Sequence, residues 1–370
     1  MTATGTSASA RDSAGRDTAS TDARSGHDPR QAVGVARLRP RWLALGLLAV
    51  VVALVVGTVT GPATVSPLEV VRDLLGLDSG LSAQQATIVR EIRLPRVVLG
   101  LLVGALLAVC GATYQGVFRN PLADPYLLGA AAGAGLGATL VIVARGGMTT
   151  PLATPLAAFA GALVAVALTY LLSRASEGRV LPSTLVLAGV AVTSFLTALQ
   201  TFVQQRNQDT LRSVYAWILG RLSTAGWAEV LLVLPYAAVA VAVLLLHRRI
   251  LDVMAVGDDE AASLGLDARR RRLVLVVAAS LGTAAAVSVS GLIAFVGIIV
   301  PHFVRLVAGS SYRVIIPLSL LFGGAFLALT DLLARSLLAP SEIPIGVVTA
   351  FFGAPFFLVV LRTARGQGLT

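Results

Sequence analysis

The chain contains no lysine, and all 29 of its basic residues are arginine. One cysteine, Cys110, lies inside an apolar run, so a disulfide framework and a zinc-type cysteine spacing are both excluded. The three histidines, His27, His247 and His302, are far apart in sequence and lend no support to a metal site. No phosphate-binding loop of the GxxxxGK[ST] type is present, so the chain cannot hydrolyse ATP by itself. Charge is scarce as well, at 13% of 370 residues.

What the sequence has in quantity is apolar length. Hydrophobic residues make up 56% of the chain, in recurring runs of about 20 residues, the length a helix needs to cross a bilayer. Composition therefore rules out a set of soluble domains. The net charge of +10 needs no nucleic acid to explain it, because no basic patch is interleaved with aromatics and many arginines flank apolar runs. Arginines near helix ends mark the cytoplasmic side.

Residues 1–41 are rich in Ser, Thr, Ala, Gly, Arg and Asp and lack apolar periodicity; this composition predicts a disordered cytoplasmic tail. A secretory signal would place its apolar core nearer the start. Residues 42–365 form the membrane domain, and residues 366–370 a short cytoplasmic end. Ten spans satisfy the arginines: about Trp42–Gly61, Leu94–Gln115, Leu122–Val143, Pro155–Leu172, Thr184–Gln204, Ala228–Leu246, Leu273–Val289, Leu292–Val307, Val314–Leu333 and Ile345–Leu361. The expected fold is an all-α, polytopic membrane protein with both termini in the cytoplasm. The external segment Pro62–Ile92 is expected to carry a short helix near Pro67–Leu75. Asn207–Trp227 should hold an amphipathic one containing Tyr215 and Trp217.

One connection differs from the rest. Between the sixth and seventh spans, Met254–Leu266 reads MAVGDDEAASLGL, with His247, Arg248 and Arg249 before it and Arg269–Arg272 after it. Gly257 precedes Asp258, which suits an N-cap. Asp259 and Glu260 place negative charge in the first turn, Ala261, Ala262 and Leu264 make a small apolar face, and Gly265 supplies a left-handed stop before Leu266. A helix this short must dock to persist. It is either a capped surface helix on its own protein or a contact for a soluble partner. The four arginines oppose the dipole of the next helix and suit head-group anchoring.

Within the spans, titratable groups are nearly missing. Asp331 is the exception, four residues before Arg335 on the same helix face near the outer end of the ninth span. An ion-coupled secondary transporter would need such a group at mid-span, and a membrane enzyme a cluster of His, Asp, Glu or Cys. On the outer face Arg90, Arg93 and Arg96 gather, with Arg335 at the same level. They either cap the second span at the head groups or receive carboxylates of an external partner.

Four stretches bear a family resemblance: IRLPRVVLGLLVGALLAVCGATYQGVFRNPLADPYLLGAAAG from Ile92, LDVMAVGDDEAASLGL from Leu251, and, later, SGLIAFVGIIVPHFVRLVAG and DLLARSLLAPSEIPIGVVTAFFGAPFFLVVL. Over about residues 42–365 the chain resembles the FecCD-type permease subunits of binding-protein-dependent ABC importers for iron-siderophores, haem and cobalamin. The resemblance implies a ten-helix permease that pairs with a second permease subunit around a central path. Two cytoplasmic ATPase subunits would use ATP and Mg, this chain binding no cofactor, and an external protein would deliver substrate.

By position, Gly257–Leu266 matches the coupling helix in the ATPase cleft. Arg93, Arg96 and Arg335 match the arginines that meet the binding protein, and Asn120–Pro125 matches the turn after the second span. The fifth span would place Ser194, Ala198 and Thr201 near the path. A ferric siderophore is the expected cargo, with haem or cobalamin as alternatives. The family likeness leaves the tail out.

Overall fold

The computed structural model describes residues 38–61, 65–177, 182–222, 226–263 and 265–366. The expectation for the tail falls almost wholly outside them, as does Leu264; so do the last four residues of the C-terminal end. Among the described residues every regular element is helical.

Seven helices are long and apolar enough to cross a membrane. They are α1 (Pro40–Val59), α4 (Leu94–Val117), α6 (Ala153–Glu177), α7 (Pro182–Arg206), α9 (Trp227–Val256), α11 (Ala268–Ser290) and α13 (Tyr312–Ser336). Shorter apolar helices α5 (Ala130–Ala144), α12 (Val296–Ala308) and α14 (Ile345–Gly366) complete the ten expected spans. Between them lie α2 (Pro67–Leu74), α3 (Ala83–Thr87), α8 (Leu211–Ile218) and α10 (Asp258–Ser263).

The bundle is built around α4. Eighteen of its 24 residues are buried, and α1, α9, α11, α12 and α13 all pack on it. Glycine permits close seams here: a Cβ on Gly104 would lie 2.3 Å from the carbonyl oxygen of Gly323 on α13. No side chain fits there, and the close approach supplies packing that lipid-solvated helices cannot gain from hydrophobicity alone. A second seam joins α5 to α6, where a Cβ on Gly133 would meet the Gly161 oxygen at 2.1 Å. By contrast, α7 packs chiefly on α5 and α6 and leaves much of its surface open.

Four boundaries differ from the sequence expectations. The second span starts a full three turns early, because Ser82 and Gln85 close a capping box (Ser82 Oγ accepts from Gln85 N at 3.2 Å, Gln85 Oε1 from Ser82 N at 3.0 Å). From there α3 runs through a π-helical turn at Ile88–Arg93 into α4.

The third span starts late, at Ala130 rather than Leu122. Asn120 Oδ1 accepts from Leu122 N at 2.9 Å and Asp124 Oδ1 from Tyr126 N at 2.8 Å. These two local turns outcompete the helix, and Gly129 at φ +84° then opens α5.

The sixth span runs ten residues further, to Val256, so His247, Arg248 and Arg249 lie on a 30-residue helix rather than in a loop. The eighth begins at Val296, because Gly291 and Phe295 both take φ +70°. The unwound backbone between them is satisfied by Tyr126, whose hydroxyl donates to Ile293 O at 2.8 Å and accepts from Ile293 N at 3.1 Å. The short helices expected outside are present: α2 at Pro67–Leu74, and α8 with Trp217 buried and Tyr215 exposed.

Candidate functional site

Polar contacts sort the connections to two faces, as the span count requires. One face holds the outer arginines. Arg96 grips Asp331 with both arms, Nε to Oδ2 at 2.9 Å and Nη2 to Oδ1 at 2.8 Å. It also holds Glu342, Nη1 to Oε1 at 2.8 Å and Nη2 to Oε2 at 3.0 Å. Arg335 donates to Gly57 O at the end of α1, and its Nε lies 3.8 Å from Asp331 Oδ2. Arg93 donates to Val59 O at 2.9 Å and Thr58 O at 3.3 Å. Arg96 and Arg335 thus meet at Asp331 while Arg93 and Arg335 hold the end of α1, and together the three expected docking arginines tie α1, α4 and α13. Arg93 is 4% exposed. Arg90 stands apart, paired with Asp73 of α2 at 2.5 Å.

The opposite face carries α10. Its sequence gives it a beginning and an end: Gly257 breaks α9 with an extended backbone, and its carbonyl accepts from Ala261 N at 3.1 Å. Gly265 at φ +76° ends it, with Gly265 N bonding Ala262 O at 2.9 Å and Leu266 N bonding Ala261 O at 3.0 Å. Ala261 is the side chain that packs inward. Asp258 is the first helical residue rather than the cap. Its carboxylate takes Arg272 of α11 at 2.8 and 2.9 Å and also pairs with Arg119, just beyond α4. Burial raises the Asp258 carboxyl, but the hydrogen bond and charge of Arg272, with Arg119 behind them, outweigh it and hold the group below the usual carboxylate range. Arg272 is therefore not the free surface arginine expected; the Asp258 carboxylate claims its Nη2.

A second tie on this face joins α9 to α13. Asp252 accepts from Ser311 Oγ at 2.8 Å and Tyr312 N at 2.6 Å, capping the start of α13. Sequence reasoning gave no role to Asp252, Arg119 or Glu342. Asp252 had a local signal, a carboxylate one turn before the glycine break, but its partner lies 60 residues away.

Ser194, Ala198 and Thr201 lie together on the exposed face of α7, where Leu187, Val190, Phe195 and Phe202 are exposed as well. The side chains of Asp259 and Glu260 fall outside the described residues; their backbone is in α10.

Ten apolar helices, five of them packed on a central sixth, a polar cluster at each end and a largely exposed apolar face on α7 describe a polytopic membrane protein. The chain belongs to the FecCD transport family, whose model matches residues 26–363. It is 43% identical over 293 residues to the cobalamin import system permease of Halobacterium salinarum, spanning 79% of this chain and 78% of that one. It is 42% identical over 286 residues to an uncharacterised ABC transporter permease of Bacillus subtilis, spanning 75% and 80%. A solved structure described as an inward-facing metal-chelate type ABC transporter superposes with a TM-score of 0.77 at 29% identity, covering 88% of this chain and all of that one. The chain is an ABC importer permease, a multi-pass protein of the inner membrane.

Proposed function

We propose that the chain forms the membrane path for a ferric siderophore delivered by an external binding protein and driven by a separate pair of ATPase subunits. The observation that carries this reading is α10, a capped six-residue helix tied by one carboxylate to the ends of α4 and α11. A helix of that length has no stability of its own, so any displacement imposed on it passes to the two spans that hold it. Closure of the ATPase subunits on ATP would supply the displacement and shift the permease between two states. Ser194, Ala198 and Thr201 of α7 would line the path opposite a second permease subunit. Small, mildly polar side chains suit a large chelate that is passed along rather than held.

Arg93, Arg96 and Arg335 are the proposed seats for carboxylates of the binding protein. Here Arg96 is engaged by Asp331 and Glu342, so docking exchanges one carboxylate for another. Support for an iron chelate comes from relatives named for iron: an Fe(3+)-citrate import permease of B. subtilis is 35% identical over 88% of this chain and 96% of its own length. A cobalamin importer is the second reading, favoured by the haloarchaeal relative.

Transport in membrane vesicles tests both. Uptake of a ferric siderophore that needs ATP, the ATPase and the binding protein bears the proposal out. Cobalamin uptake under the same conditions selects the second reading. Uptake with neither partner, following the proton gradient, refutes both.

A further inference from the structure

Three of the arginines that open α11 are not used up by protein carboxylates. Arg269 and Arg270 are exposed, and among the described residues their side chains make no hydrogen bond or ion pair. The third, Arg272, is 7% exposed and donates to Asp258 through Nη2, yet its Nε is buried with no hydrogen-bond partner among the described residues. A buried guanidinium N–H left unpaired costs free energy unless a group from outside accepts from it.

All three side chains line one cavity of about 270 Å³, between the start of α11 and the facing ends of α6 and α7. Asp267 also lines it, but its carboxylate caps α11 by accepting from Arg270 N at 3.0 Å. The other walls are apolar: Tyr170 from α6, Leu185 from α7 and Val276 from α11. Leu273 at the rim and Val277 beyond it are exposed, extending the apolar surface along α11. The cavity sits one turn from the face that the arginines mark as cytoplasmic.

From this arrangement we infer that the cavity is a binding site for the head group of an anionic phospholipid of the inner leaflet. A phosphodiester would accept from the guanidinium groups of Arg269 and Arg270, beside the buried positive charge of Arg272. The glycerol and first acyl methylenes would lie on Tyr170, Leu185 and Val276. A free anion satisfies the arginines but leaves the apolar wall wet, and a neutral lipid does the reverse. Only an anionic lipid matches both halves. Because Arg272 also holds Asp258, a lipid seated here would bear on the same side chain that anchors α10. The inference is independent of which cargo the importer carries.

The test uses the full-length protein, delipidated in dodecyl maltoside and titrated with dioleoylphosphatidylglycerol. Retention is read by native mass spectrometry and by the shift in Tm. Saturable retention and a clear preference over dioleoylphosphatidylcholine are expected, with retention about tenfold weaker in the Arg269→Gln, Arg270→Gln double variant. A second double variant, Arg248→Gln with Arg249→Gln, should bind like the unaltered protein. Equal weakening by both pairs would mean diffuse surface charge and overturn the site. An equal Tm shift from inorganic phosphate would make the ligand a soluble anion and overturn the lipid assignment. Should the first variant fail to fold, the unaltered protein decides alone: equal retention of the two lipids overturns the inference.

Discussion

The two faces of this permease use the same chemistry, arginine on aspartate, in opposite surroundings. On the outer face the Asp331 side chain is 3% exposed, with Arg335 at 8% and Arg96 at 11%. On the inner face Asp258 is 45% exposed and Arg119 40%, with only Arg272 buried, at 9%. Removing one partner of a buried pair strands a charge where water cannot reach it, whereas an exposed pair is worth little to the fold. The outer cluster is therefore a lock joining α1, α4 and α13, and the inner one a latch. A docking element that must move can be held only by contacts that are cheap to break.

The largest effect should come from breaking the lock. In Asp331→Asn, Arg335 loses its ion-pair partner and Arg96 keeps only Glu342. A loss of about 3–5 kcal/mol is expected. Cys110 gives the readout, since it is the chain's single cysteine and is fully buried in α4, so thiol labelling during detergent unfolding reports the whole bundle. A loss under about 1 kcal/mol would erase the distinction between the faces.

Next in size is Gly265→Val. A Cβ there would touch nothing within 4 Å, so the penalty is purely that of the left-handed backbone at φ +76°, about 1–2 kcal/mol and confined to the end of α10. Amide exchange in α10 should quicken about tenfold while Cys110 stays protected. Under the proposed function ATP hydrolysis would then run without transport; normal coupling would return this stretch to an ordinary loop.

Asp258→Asn should cost less global stability than Asp331→Asn, because Asp258 and Arg119 are about half in solvent and only Arg272, 9% exposed, is a buried charge that loses its partner. It should still free α10 from α4 and α11. Its pH dependence has a definite sign. The folded carboxyl lies below its unfolded value, so the stabilisation is complete above about pH 4 and is lost as pH falls through the lower, folded value. Protection of α10 should be flat from about pH 5 to 8 in the parent protein, and absent over that whole window in the variant. A parent whose α10 loosens between pH 6 and 7 would refute this account of the latch.

Ten spans and the limits of α10 were legible because each is a local pattern: apolar length for the spans, glycine on both sides of a short polar helix for α10. The errors arose where two local signals competed. Asn120 and Asp124 were visible turn formers, yet the apolar residues around them argued for helix, and only the closed side-chain turns decide that α5 starts at Ala130. The pairing of charges was illegible for a different reason. Asp331 and Arg335 share a helix face, but the carboxylate is taken by Arg96, 235 residues away, because α4 and α13 pack through glycine. Spacing along one helix gives which groups can meet; it says nothing of the competitor brought by a neighbouring helix.

That competitor alters how the outer arginines should be tested. Reversing the charge of Arg93 or Arg96 would break the lock itself, so any loss of binding-protein docking would be confounded with unfolding. Glu342 offers a cleaner handle. It is 41% exposed and holds the same guanidinium that Asp331 already grips, so Glu342→Gln should change stability by less than about 1 kcal/mol. If a partner carboxylate must take its place on Arg96, removing it lowers the cost of exchange, and the binding protein should associate several-fold more tightly with the variant in a detergent pull-down or by biolayer interferometry. Raising ionic strength should shrink the difference, since both carboxylates would act through partly solvated charge. Weaker docking would mean that Glu342 holds Arg96 in the geometry the partner needs. Unchanged docking would mean that Arg96 serves only the lock, and the seat would then have to be sought at Arg90, the exposed arginine of this face.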